Sequence, residues 1–385
     1  MIRVLVNLTW LVPGVVGGSE EATTAALRAL AEADDPGLDV HLAVLAPFPG
    51  AHPDLVDRFP TVVLDQSGSD KARRVLADQT WLPALARRLS ADVVHHAGGV
   101  VPLRHPGRTV LTVHDLQPLD LPANFSRTKR TYLRLMSRRS FRAADVIVVP
   151  SRFTADRVRA HGAPADTPVR VVPWSLGAPT APDRSSDRPS GRSSEVSGAL
   201  RGHPYFLYPA ITYPHKGHLL LLDAFAQVAA DHPDTRLVLT GRPGPLEGTV
   251  AARADRPDLR GRVLRTGRIP AAELDRLRSA AVAVVVPSEY EGFGLPALEA
   301  VRDGTRVLVA SAGSLPEVVP STDVVPAADV RSWIRAMAEV LDESPEERRD
   351  RVDRARAHAA ACTPGATAAG LAAAYREAAG RGVAR

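Results

Sequence analysis

The chain has 385 residues, 45% of them apolar, which is enough for two buried cores and too apolar for a chain disordered throughout. Its 48 Lys and Arg against 43 Asp and Glu give a net charge of +5, but the two signs are interspersed and only 5% of residues are aromatic, which argues against a nucleic-acid partner. The single cysteine, Cys362, excludes an internal disulfide framework and a cysteine-built metal site, and it fits a reducing, cytoplasmic compartment.

Short β-branched runs alternate with amphipathic stretches along the whole chain, the pattern of βαβ units, so an α/β fold with largely parallel sheets is predicted. Strands are expected at Ile2–Leu8, Val40–Leu45, Asp92–His96, Thr109–Val113, Val146–Val149 and Val169–Val172. A second series follows at Tyr205–Tyr208, Arg236–Thr240, Val263–Arg265, Val282–Val286 and Val307–Ala310. The first apolar run is broken by Pro13 and the glycines after it, and no 18-residue apolar stretch occurs elsewhere, which predicts a soluble or peripheral protein. Residues 178–198, rich in Pro, Ser, Asp and Arg, read as a linker. The expected division is therefore a domain at 1–180, a linker at 181–200, a second domain at 201–362, and a C-terminal helix at 363–385 packing back on the first domain. The string VVPS recurs at Val148–Ser151 and Val285–Ser288, each at a strand end. Two similar nucleotide-fold halves facing each other, with a ligand in the cleft beyond the strand ends, would account for the echo.

The segments that carry chemistry lie at predicted strand ends. In GVVGGSE, Gly14–Glu20, the pair Gly17 and Gly18 permits a tight turn against a ligand, and Ser19 is placed to cap the helix. The spacing is not GxGxxG, so a dinucleotide site is unsupported. In VHDLQPLDL, Val113–Leu121, His114 is placed to donate a hydrogen bond or a proton. Residues 126–142 hold seven basic side chains and no acid, with Arg127, Arg130, Arg134 and Arg138 on one helical stripe and Tyr132, Leu135 and Met136 on another. Two readings stand for that stretch: an ordinary arginine-rich amphipathic helix, or a face that meets an anionic membrane or a phosphorylated, lipid-linked acceptor.

Only Lys71, Lys129 and Lys216 are lysines, so 45 of the basic residues are arginine, and a lysine here is informative. Lys216 lies in YPAITYPHKGH, Tyr208–His218, between a strand and a long helix, where a compact ammonium would neutralise a departing diphosphate. The densest signal is VVPSEYEGFGLPALEA, Val285–Ala300. Gly292 and Gly294 let the backbone approach a ligand, and Pro296 suits the first turn of a helix whose N-terminus attracts phosphate oxygens. Glu291 on the loop and Glu299, expected in the first helical turn, would repel phosphate and so are suited to accept hydrogen bonds from sugar and ribose hydroxyls. Glu299 read merely as a complement to the helix dipole is the simpler alternative.

This last string resembles the hallmark of the GT-B glycosyltransferases of family 4, a Glu, seven residues and a second Glu in the context EGFGLPxLEA. The resemblance implies an α/β GT-B architecture of two facing Rossmann-like domains with a central cleft. It implies that Glu291 contacts the transferred sugar, Glu299 the nucleotide ribose, and the amides of Phe293, Gly294 and Leu295 the sugar and diphosphate. Gly17 and Gly18 would approach the diphosphate from the first domain, and His114 the transferred sugar. Similar enzymes often carry an arginine a few residues before the lysine; here Ala210, Ile211, Thr212 and Tyr213 stand there, which leaves Arg242 or Arg268 to supply that cation. The absence of GxxxxGK[ST], GxSxG and Asp-x-Asp disfavours P-loop, hydrolase and metal-dependent transferase chemistry. The implied activity is a retaining, metal-independent and cofactor-free hexosyltransferase. It would use a GDP- or UDP-sugar, with mannose favoured, and a glycan or lipid-linked acceptor, at most peripherally attached to the inner membrane face. A catalytically silent donor-binding subunit, a phosphorylase and an epimerase on the same fold remain open alternatives.

Overall fold

The computed structural model describes residues 1–176 and 198–381, so residues 181–197 of the predicted linker lie outside the described residues. The described chain forms two compact units, one from residues 1–176 together with 361–381, the other from residues 198–360.

The first unit contains β1 (Ile2–Asn7), β2 (Leu38–Leu45), β3 (Thr61–Leu64), β4 (Val93–His96), β5 (Arg108–Thr112), β6 (Val146–Val149) and β7 (Val169–Val171), in a parallel sheet of order β3-β2-β1-β4-β5-β6-β7. The second contains β8 (Tyr205–Pro209), β9 (Arg236–Thr240), β10 (Val263–Gly267), β11 (Ala283–Val286), β12 (Val307–Ala310) and β13 (Val324–Val325), parallel in the order β10-β9-β8-β11-β12-β13. The central strands VIVV, AVVV and VLVA are buried at every position, as strands covered by helices on both faces must be.

In each sheet the chain winds outward from its first strand and then returns to that strand's other side. The order therefore reverses between β1 and β4 and between β8 and β11, and loops leaving two such strands diverge to open a crevice at their carboxyl ends. This topology makes neighbours of the β8 and β11 loops. The VVPS echo is not a pair of equivalent sites: Val285–Ser288 closes β11 at the reversal, whereas Val148–Ser151 closes β6, two strands beyond β4. Two strands escaped the sequence pattern, the half-exposed β3 and the two-residue β13.

The helix Pro364–Gly380, capped by the Thr363 side chain, lies against the helix Gly18–Ala33 within the first unit. Its buried Tyr375 hydroxyl lies 2.9 Å from His95 Nδ1, and His95 Nε2 lies 2.7 Å from Thr112 Oγ1. Gly370 lets the helix approach the segment after β7, since a Cβ there would fall 2.8 Å from Val172 Cγ1.

Candidate functional site

In the second unit Lys216 and Glu291, 75 residues apart in the chain, meet across the reversal point with Nζ 2.6 Å from Oε1. Both are mostly shielded, their side chains 18% and 13% exposed. The two loops are fastened by groups that leave no slack. The Tyr208 hydroxyl, on β8, donates to the Lys216 carbonyl oxygen at 2.6 Å and lies 3.1 Å from Ser288 Oγ on the other loop. The Glu289 N–H donates to the His215 carbonyl oxygen at 2.8 Å. Gly217, with φ +68°, passes so close to the β11 loop that a Cβ would sit 2.3 Å from the Pro287 oxygen. Glu291 is held from its other side by the GSLPE loop, where the Ser314 N–H and hydroxyl donate to the Glu291 carbonyl oxygen at 3.1 and 3.0 Å.

The helix Leu295–Asp303 opens after Gly294, which has φ +99°. Leu295 is its first residue, so its N–H has no acceptor within the helix, and Pro296 has no N–H to satisfy. Phe293 is buried beneath this turn. Glu299 does not lie in the first turn, as the sequence suggested, because that turn holds no acid. It sits one turn further on, where Oε2 accepts from Arg278 Nη1 at 2.9 Å. Arg278 also donates to Asp303 and Asp275 at 2.5 Å each, and its side chain is only 1% exposed. Burial opposes its charge, but Glu299, Asp303 and Asp275 outweigh burial and raise its pKa. The dipole reading of Glu299 thus gives way to an ion-pair network. Sequence inspection missed Arg278 because one arginine among 45 carries no signal and its partners are spread from 275 to 303.

Arg242 and Arg268 follow β9 and β10. The Arg242 loop rests directly on the 210–212 segment: a Cβ at Gly241 would lie 2.4 Å from the Ala210 oxygen, and Thr212 Oγ1 accepts from the Gly244 N–H at 2.7 Å. Arg268 is exposed, one strand further from β8.

In the first unit, Gly17 precedes the helix Gly18–Ala33 with φ +69°, and a Cβ there would meet nothing within 4 Å. Ser19 is not the cap: it falls inside the helix, whose N-cap is Gly17 with no side-chain bond. Glu20 shapes the loop instead, accepting from the Gly14 N–H at 2.8 Å. His114 packs between Trp10 and Trp174, ring centroids 5.7 and 5.6 Å away. Its Nε2 lies 3.0 Å from the Ala97 carbonyl oxygen. A carbonyl only accepts, so Nε2 carries the proton and Nδ1 is left as an acceptor. Among the described residues Nδ1, fully buried, has no hydrogen-bond partner. Burial holds the ring neutral, with a pKa lowered to about 4 despite the Ala97 bond. His114 is therefore a hydrogen-bonding group at neutral pH and not a reservoir of protons.

Comparison with known proteins matches residues 16–174 to the family described as Glycosyltransferase Family 4 and residues 192–358 to Glycosyl transferases group 1. The chain is 30% identical over 359 residues to a D-inositol 3-phosphate glycosyltransferase of Segniliparus rotundus, covering 89% of this chain and 76% of that protein. The chain belongs to the family 4 (group 1) glycosyltransferases. It is also 29% identical over 257 residues to O-antigen chain mannosyltransferase B of Escherichia coli, an alignment spanning 64% of this chain and 63% of that protein. In fold this glycosyltransferase matches Anabaena HepE, solved in complex with UDP-glucose, with a TM-score of 0.72 at 18% identity over 97% of this chain and 99% of that one. Each unit thus has the α/β architecture that the motif implied.

Proposed function

We propose that this glycosyltransferase is a retaining, metal-independent hexosyltransferase that moves a hexose, with mannose favoured, from a nucleotide diphosphate sugar to a hydroxyl of a glycan or lipid-linked acceptor. The observation that carries the reading is the Lys216–Glu291 pair at the β8/β11 reversal, beside a helix N-terminus. An ammonium already desolvated and matched by one carboxylate can exchange that partner for a phosphate oxygen at little reorganisation cost. Lys216, the Leu295 N–H and the helix dipole then stabilise the charge that grows on the β-phosphate as the bond from the anomeric carbon to the phosphate oxygen breaks. The acceptor oxygen bonds to the anomeric carbon on the same face, and its proton passes to the departing phosphate. Glu291, released from Lys216, orients a hydroxyl of the transferred sugar, and Glu299, held by Arg278, accepts from the ribose.

Arg242 serves as the second phosphate-facing cation, because its loop lies on the segment next to the Lys216 loop. Arg268 contributes on the base side of the donor. To the first unit we assign the acceptor, with the Gly17–Gly18 amides serving the diphosphate and the neutral His114 ring lying near the transferred sugar. Positive charge supplied by side chains and backbone, in a sequence without Asp-x-Asp, supports metal independence. The mannosyltransferase among the relatives supports mannose, and the UDP-glucose complex of the structural neighbour supports a nucleotide sugar.

The reading is tested by supplying labelled GDP-mannose and UDP-glucose with and without a chelator and following the anomeric proton of the product by nuclear magnetic resonance. Transfer that persists in chelator and keeps the donor's anomeric configuration is expected. Binding without turnover, consumption of free phosphate, or inversion would overturn it.

A further inference from the structure

We infer that the first unit carries a docking surface for an anionic lipid bilayer, formed by the helices Lys71–Arg88 and Arg127–Ala143 and the loop Val101–Arg104 that joins them. The inference is independent of the transfer chemistry. The three segments are one surface because the loop bonds to both helices. The Val101 N–H donates to Ser140 Oγ at 2.9 Å, and Arg139 donates to the Val101 and Leu103 carbonyl oxygens at 2.9 Å each. The Leu103 N–H donates to Gln79 Oε1 on the other helix at 2.7 Å.

Of the ten large hydrophobic side chains exposed among the described residues, five lie on this surface: Val75, Leu76, Leu103, Tyr132 and Leu135. Leu76, Leu103 and Leu135 are each at least 60% exposed, although water disfavours such apolar side chains. The helix Arg127–Ala143 is anchored only near its end, through Ser137, Ser140 and Phe141, so its first turns stand clear of the core. Interleaved with the apolar side chains are exposed cations: Lys71, Arg73 and Arg104, and on the second helix Arg127, Lys129, Arg130, Arg134 and Arg138.

The acids nearby cancel only part of this charge: Asp70, a helix cap, also pairs with Arg73 at 3.5 Å, Asp115 attracts Lys129, and Asp78 is turned inward to Thr9 Oγ1 at 2.5 Å. Burial lowers the Lys129 pKa, and Lys71 on the other helix adds to that shift while Asp115 opposes it. Together the helices concentrate cations around exposed leucines. A soluble polyanion would satisfy the cations and leave the leucines in water, whereas a bilayer surface offers phosphates to the one and the acyl boundary to the other. No helix among the described residues is long and apolar enough to cross a membrane, so the contact is peripheral.

The test is co-sedimentation of the full chain with vesicles of phosphatidylcholine alone or with added phosphatidylglycerol, across a salt series, with heparin binding measured in parallel. Salt-sensitive binding to the anionic vesicles only is expected. At about fivefold per cation near an anionic surface, R127Q/R130Q/R134Q/R138Q weakens it at least about a hundredfold. L103S/L135S weakens vesicle binding about tenfold and leaves heparin binding unchanged. All six positions are exposed or carry only solvent-facing charge, and an unchanged thermal midpoint certifies each variant's fold. Equal binding to both vesicle types, binding insensitive to salt, or full vesicle affinity in L103S/L135S would overturn the proposal, the last result identifying a generic polyanion site.

Discussion

The second unit gathers its candidate chemistry from charges that neutralise one another, Lys216 with Glu291 and Glu299 with Arg278. The first presents an uncharged imidazole wedged between two indoles, and a glycine turn with open space around it. On the function proposed above, the contrast follows from what each would meet. A diphosphate that gains charge during the reaction needs cations pre-paired and desolvated before it arrives. A neutral sugar would need no charged partner, and burial removes the ring's charge at no cost to that role.

The largest expected effect lies on the charged side. Lys216→Met is predicted to lower kcat about 10²- to 10³-fold, in the range of removing one charge-stabilising donor, while His114→Gln, which keeps a hydrogen-bonding group, stays within about tenfold of wild type. Steady-state kinetics with the identified donor compare the two. A smaller loss at Lys216 than at His114 would break the contrast. A pH series sharpens it, because His114 is neutral at every pH above about 4 and kcat should show no inflection from it near 6.5.

The two glycine turns differ in the same way. Gly217→Ala must strain a φ of +68° and also displace the Pro287 carbonyl, so a loss of more than about 2 kcal/mol is expected. Gly17→Ala strains a similar φ in open space and should cost about 1 kcal/mol. Urea unfolding of the two variants measures the difference.

Acid should act more on the first unit. Burial lowers the pKa of His95 and His96 to about 3 and of His114 to about 4, against His215 and His218 at about 4 in the second. Between those values and the unfolded value near 6.5 the unfolded chain binds more protons than the folded one. Stability is therefore complete above about 6.5 and declines as pH falls toward 3, by up to about 1.4 kcal/mol per pH unit for each histidine. Hydrogen exchange at pH 5 and pH 7 should show the larger loss of protection around β4 and β5; equal losses in both units would count against it.

Much of this was legible in the sequence, for stated reasons. Strands buried on both faces read as apolar runs, so Arg236–Thr240 and Val307–Ala310 were placed to the residue. β3, at the sheet edge and half exposed, has only the three-residue apolar run Val62–Leu64, and β13 has only two residues. Lys216 and Glu291 were visible as residue types at strand ends, but their pairing depends on the strand order. The Arg278 network, the tautomer of His114 and the joining of two basic helices by the Val101–Arg104 loop arise from contacts between distant segments, which no local pattern records. Ser19 shows the converse, a favourable cap type in a position where the backbone had already entered the helix.

The central claim is that Glu291 acts on the transferred sugar while Lys216 serves the diphosphate. Parallel measurement of donor affinity by calorimetry and of single-turnover transfer for Glu291→Gln tests it most directly. The account predicts affinity within about threefold of wild type and transfer slowed at least about a hundredfold, the pattern of an interaction made chiefly in the transition state. Unchanged transfer, or a loss of donor affinity as large as the loss of rate, would contradict it.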